Sequence, residues 1–347
     1  MEIKKNKVIP IDDYIYQALY NDKSGYYMKN NPFGYNGDYI TAPNISIMFS
    51  EMIAIWIVSF WESLKCPKKF NLIELGAGNG EMIKQINKTF DKFPLLKDSC
   101  KINILEKSNH LKKIQKKKLK NLNIRWLKNL DELSNVPNIF VANEFFDALP
   151  IKQFIKKKNK WYERNVNIDK LEFLDNLIDI RNIEKKLGFK VSENQKFIEY
   201  SPLTIDYLKI ISKKIISNNG GILIIDYGYW EKNMKNTLKS VYKHKYNNIL
   251  SNFGKADITH NLSFELIEKI LRSFKLNTIK KTSQKKFLLN LGILNRAEII
   301  SKNLPFSKKA DIYFRIKRLI DNGSMGELFK VLFATNRDKK FNTGFKN

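Results

Sequence analysis

The chain has 347 residues, 43% of them hydrophobic, and a formal net charge of +27; this is enough for a full core in one large elaborated domain or two. No apolar run reaches the roughly 18 residues of a membrane span, the first residues carry no apolar signal segment, and Cys66, Cys100, His110, His244 and His260 make neither a disulfide framework nor a zinc site. A metal-free protein of a reducing bacterial cytoplasm is expected, not integral to a membrane, and its scattered lysines, enriched together with Asn and Ile, read as codon bias and solvated faces rather than a nucleic-acid surface.

Residues 1–20 contain a short helix, with Ile11, Ile15, Tyr16 and Leu19 at helical spacing after Pro10. Ser24-Gly25-Tyr26-Tyr27 breaks it. Gly34-Tyr-Asn-Gly-Asp38-Tyr-Ile-Thr41-Ala-Pro43 is a glycine-punctuated loop with an acid and a hydroxyl, the composition of a functional loop. A plain turn in which Asp38 bonds its own backbone fits it equally. Asn44 or Ser46 then caps a long apolar helix over 45–64, buried against a sheet.

Asn71-Leu-Ile-Glu-Leu-Gly-Ala-Gly-Asn-Gly80 is the stretch to which the rest is referred. Leu72, Ile73 and Leu75 read as a buried parallel strand, Gly76, Gly78 and Gly80 as a turn, and 81–90 as the first helix of a βαβ unit. Glycines let a ligand lie against the backbone and permit φ > 0. A dinucleotide site would show G-x-G-x-x-G with a pyrophosphate over the helix. Here the spacing is G-x-G-x-G, and Glu74, two residues ahead, would repel a pyrophosphate. It suits S-adenosylmethionine, whose amino acid end carries an ammonium and whose sulfonium is cationic. Glu106 ends the next strand, 101–106, some 26 residues past Gly80, where an acid can accept from ribose hydroxyls. A basic helix over 109–121 and a third strand over 124–127 follow. Trp126, near the end of that strand, could flank an adenine or simply fill the core.

Asn138-Ile-Phe-Val-Ala-Asn143-Glu144-Phe-Phe-Asp147-Ala-Leu-Pro150 is the second informative stretch. Residues 139–142 read as a fourth parallel strand, so Asn143 and Glu144 emerge at its C-terminal end, where open α/β sheets bind ligands. Glu144 and Asp147 bracket two phenylalanines, an acidic patch with an apolar wall; the alternative is that both merely cap the next turn. Residues 151–200 read as an insertion with a β-hairpin over 151–157 and 160–166, followed by a polar lid or interaction surface through Asn194. A helix over 203–217 leads to a fifth strand ending in Asp226, which should face the same rim. Residues 237–257 are expected to be loop-rich, with His244 among them. Ser263 caps a helix to Leu271, 277–281 and 286–291 form a closing antiparallel pair, and helices complete the chain.

The two signatures, together with Gly37-Asp-Tyr-Ile-Thr-Ala-Pro43, Ile225-Asp-Tyr-Gly-Tyr229, Ala256-Asp-Ile-Thr259 and Met325-Gly-Glu-Leu-Phe-Lys-Val-Leu332, resemble the MidA family of class I S-adenosylmethionine-dependent methyltransferases over nearly the whole chain. Mitochondrial members are arginine methyltransferases that assist assembly of respiratory complex I. The resemblance implies a Rossmann-like α/β doubly wound sheet with a closing antiparallel strand, an N-terminal helical extension (1–70) covering the cofactor, and a catalytic domain (71–347) carrying the insertion 151–200. It implies that Glu74, Gly76, Gly78, Gly80 and Glu106 hold the cofactor, that the loop with Asp38 and Thr41 closes over it, and that Glu144 and Asp147, beside Asn143, line the acceptor site. The expected acceptor is an arginine on a partner protein such as a complex I subunit. An apolar patch on the C-terminal helices could make a homodimer.

Guanidinium nitrogens are poor nucleophiles because their lone pairs are delocalised. A bidentate carboxylate can fix the plane and draw positive charge to the distant nitrogens. Glu144 is the candidate, with Asp147 or Asp226 as second acid. One rival is an RNA or DNA base methyltransferase, but Asn143-Glu-Phe-Phe146 lacks the two prolines that such enzymes carry there. The other is a cofactor-binding assembly factor that transfers nothing.

Overall fold

The computed structural model describes residues 8–30, 32, 40–336 and 340–346. Asp38 and most of the glycine-punctuated loop lie outside them. A short strand Val8–Pro10 (β1) leads into the helix Ile11–Tyr20 (α1), then the one-turn helices Tyr26–Lys29 (α2) and Ala42–Ile45 (α3) and the long helix Ile47–Ser63 (α4). Ser46, not Asn44, caps α4, its hydroxyl accepting the Met48 N–H at 3.3 Å. The helix is apolar around much of its surface because aromatic side chains close over it. Trp56 and Phe60 meet the Phe333 ring edge-on at 5.1 and 4.8 Å.

The βαβ reading holds. Phe70–Leu75 (β2) is wholly buried and is followed by Glu81–Phe90 (α5), Pro94–Ser99 (α6), Cys100–Leu105 (β3), Asn109–Lys118 (α7), Ile124–Leu127 (β4) and Asn138–Asn143 (β5). The insertion contains the expected hairpin, Lys152–Lys157 (β6) and Lys160–Asn167 (β7), closed at Lys157 opposite Lys160. The polar stretch beyond it is more ordered than expected. Glu172–Ile178 (β8) pairs with β7, Ile180–Leu187 (α8) follows, and Phe197–Tyr200 (β9) pairs with β6. Residue Val8 of β1 pairs opposite Asn167, so the start of the described chain is a strand of this second sheet.

Pro202–Asn218 (α9) and Gly220–Tyr229 (β10) return the chain to the first sheet. Residues 237–257 are not simply loop: Lys239–Tyr242 (β11), Lys245–Asn247 (β12) and Asp257–Thr259 (β13) make a small antiparallel sheet. Its alternation is too short to stand out from the surrounding polar residues. Leu262–Ser263 (β14) and the Ser263-capped helix Phe264–Ser273 (α10) follow. The closing pair differs from expectation in one partner. Thr278–Ser283 (β15) is a strand, but 286–291 falls in the helix Gln284–Asn290 (α11), capped by Ser283. The true partner comes after Ile293–Ser301 (α12), Phe306–Ile320 (α13) and Met325–Leu328 (α14): it is Phe329–Thr335 (β16).

The main sheet runs β15-β16-β10-β5-β2-β3-β4, parallel from β10 to β4, with β16 antiparallel to both neighbours. One apolar core joins α4, α5 and α11 to α13 on one face, and another joins α9 and α10 on the other. At the N-terminal ends of the strands, buried Asn71 donates to Asn138 Oδ1 at 2.9 Å. At the opposite ends the chain leaves β2 and β5 in different directions, opening the crevice where doubly wound sheets bind ligands.

Candidate active site

The turn after β2 carries the first part of the site. Gly76, Gly78 and Gly80 have φ of +66, +52 and +79°, which only glycine adopts without strain. At Gly76 a Cβ would also lie 2.7 Å from the Phe145 ring, so the turn needs hydrogen there for two reasons. Glu74 is buried in β2 just before it, and its Oε2 has no hydrogen-bond partner among the described residues. Burial, and then the nearby Glu106 charge, push its carboxyl up to about 8. Asn143, at the end of β5, leaves Oδ1 equally unpartnered. The two acceptors share a cleft of about 30 Å³ with Thr41, Gly76 and Gly78.

That cleft adjoins a cavity of about 480 Å³ lined by Gly76, Gly78, Glu106, Leu111 and Phe145, with Tyr16 and Tyr20 from α1 and Tyr27 from α2 closing one side. Glu106 accepts the Ser108 N–H at 2.9 Å and the Gln115 amide at 3.1 Å. Gln115 was not identified from sequence. It is fully buried in α7, donates to Gly78 O at 2.9 Å as well, and accepts from Trp126 Nε1 at 2.9 Å, tying the turn to the acid. Its one signal was an uncharged amide within a run of lysines. Trp126 does not line the cavity; it packs against the core beside α4 and α5.

A third cavity, of about 310 Å³, is lined by Thr41, Glu144, Asp147, Asp257 and Thr259, with Tyr227, Lys239, His244 and Tyr246. Glu144 lines all three cavities. It follows β5 at φ +52°, a conformation held by its N–H on Ile225 O at 3.0 Å. Its Oε1 accepts Asn143 Nδ2 at 3.1 Å and the Ala42 N–H at 3.4 Å, and burial pushes its carboxyl up to about 7. Asp147 is raised well above the usual range by burial, then by Asp226, Glu144 and Asp257. Asp257 lay in the stretch expected to be loop, although Ala256-Asp-Ile-Thr259 belongs to the family resemblance; Tyr27 donates to its Oδ1 at 2.8 Å.

Asp226 does not face the rim. It is fully buried, and its oxygens accept the backbone N–H groups of Phe146, Asp147 and Tyr227. Strand alternation puts Asp226 on the same face as buried Ile222 and Ile224, one residue beyond the pairing of Ile225 with Asn143, where it meets the Phe146-Asp147 turn.

A family profile described as "Putative S-adenosyl-L-methionine-dependent methyltransferase" matches residues 52–282, about two thirds of the chain. The chain belongs to this family. Its cofactor is S-adenosylmethionine. The methyltransferase is similar along nearly its whole length to Protein arginine methyltransferase NDUFAF7, mitochondrial, of Xenopus laevis: 27% identity over 372 residues, covering 99% of this chain and 84% of the relative. The Homo sapiens protein of that name is 26% identical over 358 residues, covering 94% and 80%. A Burkholderia thailandensis protein solved with S-adenosyl-homocysteine shares the fold, with a TM-score of 0.78 at 23% identity, covering 98% of this chain and 89% of that one. Among the described residues of the methyltransferase, no helix is long and apolar enough to cross a membrane.

Proposed function

We propose that this methyltransferase is a protein arginine N-methyltransferase, and that Glu144 couples its cofactor site to its acceptor site. The observation that carries this reading is the position of Glu144 at the meeting of three cavities, one of which has a floor of buried carboxylates. The names of the relatives from Xenopus laevis and Homo sapiens support it.

The cofactor residues fit their group chemically. An ammonium donates several hydrogen bonds, and Glu74 Oε2 and Asn143 Oδ1 are buried acceptors in want of donors. Gly76, Gly78 and Gly80 keep the backbone clear beside them, and Glu106, oriented by Gln115, accepts from ribose hydroxyls. Thr41, with Tyr16, Tyr20 and Tyr27, covers this side from within the first 70 residues; Asp38 lies outside the described residues. The catalytic domain is then 71–347, with 151–200 as its insertion.

S-adenosylmethionine supplies an electrophilic methyl on its sulfonium. The chain supplies position and charge. Glu144 accepts two N–H groups of the guanidinium, fixes its plane and concentrates positive charge away from the attacking nitrogen. Asp147 holds the second side, and Asn143 fixes Glu144 through its amide. The guanidinium in turn lowers both carboxyls from their raised values, so that each is ionised when substrate is bound. Asp226 braces the turn instead of touching substrate.

The acceptor is an arginine on a partner protein, such as a respiratory complex I subunit, in the bacterial cytoplasm. Carboxylates in the acceptor cavity weigh against an anionic nucleic acid. Exposed Ile299, Phe306 and Phe314 on α12 and α13 are where a second copy would dock. Incubation with methyl-labelled cofactor and a lysate of the source organism lacking this gene, followed by mass spectrometry, tests the reading. One polypeptide labelled on arginine is expected. Label on RNA, or cofactor binding with no label on any macromolecule, overturns it, the latter in favour of a non-catalytic assembly factor.

A further inference from the structure

The acceptor cavity changes sign between floor and mouth. Asp147 and Asp257, with 6% and 2% of their surface exposed, lie in it beside Glu144. Its outer wall is the hairpin of β11 and β12, which contributes Lys239, Val241, His244 and Tyr246, and Tyr246, 86% exposed, marks where the cavity opens. The Lys239 ammonium lies 4.7 Å from the centre of the Tyr227 ring and 3.3 Å from Asn261 Oδ1. Both of these partners are neutral, and the opposite charge on which the ammonium acts is that of the floor, where it lowers the Asp147 carboxyl.

The hairpin turns against its own local preference. Tyr242 pairs with Lys245 across Lys243 and His244, whose φ values are +50 and +63°. Asn-Gly is the favoured pair for two such positions. Left-handed backbone at side-chain-bearing residues is strained and is concentrated where loops contact ligands. Here one of the two, His244, lines the cavity.

We propose that this hairpin reads an acidic side chain close to the target arginine, with Lys239 as the specificity-determining residue. The inference rests on the arginine reading above. The guanidinium goes to the carboxylate floor, and a neighbouring aspartate or glutamate meets Lys239 at the mouth. The cavity, at about 310 Å³, is roughly ten times the ~30 Å³ share of one water in the liquid, which accommodates an arginine side chain and part of its neighbour. Opposite charges at the two ends also fix direction, because a reversed substrate meets like charge at both. The net charge of +27 favours encounter with an acidic segment.

The test uses two synthetic peptides that differ only in the residues flanking one arginine, aspartates in one and lysines in the other. Each is assayed with the wild type, Lys239→Glu and Lys239→Gln. The wild type should show a kcat/KM about tenfold higher for the aspartate peptide, Lys239→Gln should narrow the ratio and Lys239→Glu should invert it. A wild-type preference for lysine, or an aspartate preference that neither substitution changes, overturns the proposal. Dissociation constants measured with S-adenosylhomocysteine present give the same comparison without turnover. Peptides bound in the charge-dependent order yet never methylated on arginine overturn the arginine reading and leave the role of the hairpin standing. Methylated arginine without flank preference does the reverse. If Lys239→Glu does not fold, Lys239→Gln alone decides the outcome.

Discussion

Asp226 Oδ2 accepts the backbone N–H of Asp147 at 3.3 Å, so one buried carboxylate holds in place the turn that presents another. The same oxygen accepts from Phe146 at 3.1 Å, and Oδ1 accepts from Tyr227 at 2.9 Å. Asp226→Ala would leave buried donors unpaired at about 1–3 kcal/mol each; a lower thermal midpoint and little methyl transfer are expected. Asp226→Asn keeps an acceptor oxygen and removes the charge that raises Asp147. It should fold, and its rate should begin to rise at lower pH than that of the wild type.

Glu144→Gln preserves the shape of the site and removes the charge. The turnover number should fall by about 100-fold or more, the size typical of losing one preorganised electrostatic group, while the dissociation constant of the cofactor changes little. In the wild type kcat/KM should climb as pH rises through about 7, where the free carboxyl ionises. The variant should lose that part of the rise and keep the part that Asp147 governs.

Burial holds the Glu74 carboxyl at about 8 in the free protein. An acid raised on folding contributes stability that is complete below the usual carboxylate range and is lost as pH climbs through its folded value. The free protein should therefore lose stability between about pH 5 and pH 8 through this group. A cofactor ammonium reverses the balance by favouring the ionised form. The increase in thermal midpoint on adding S-adenosylmethionine should grow with pH over that window, and Glu74→Gln should flatten the dependence.

Gly76→Ala places a methyl 2.7 Å from Phe145 at φ +66°. The strain is on the order of 1–3 kcal/mol, and Phe145 lines the larger cavity, so its displacement should abolish cofactor binding by calorimetry.

Gln115→Ala cuts the links from α7 to Glu106, Gly78 and Trp126 without removing any proposed cofactor contact. The KM for cofactor should rise about tenfold, the cost of one or two buried hydrogen bonds, with the turnover number at saturation largely kept.

The parallel strands and the glycine turn were legible because buried strands are short apolar runs, and β2 and β3 each lead into a helix. The helix 81–90 was placed to the residue, and the strand over 124–127 likewise. Pairing was less legible. Residues 286–291 hold a short apolar run that does not separate strand from helix, yet Ser283 caps a helix there and β16 takes the sheet position. Asp226 was expected to end its strand, but β10 runs three residues further, to Tyr229, and sequence could not tell a rim acid from one turned inward. Gln115 and Lys239 act through distances across the fold that no local pattern encodes.

Strand β1 finds its partner in β7, with Val8 opposite Asn167. As the chain leaves the ribosome, residues 8–10 have nothing to pair with until more than 150 further residues have emerged. The tyrosines of α1, which close one side of the larger cavity, follow directly on that strand. The wall of the larger cavity is therefore completed late in synthesis, after the turn and first helices that it covers.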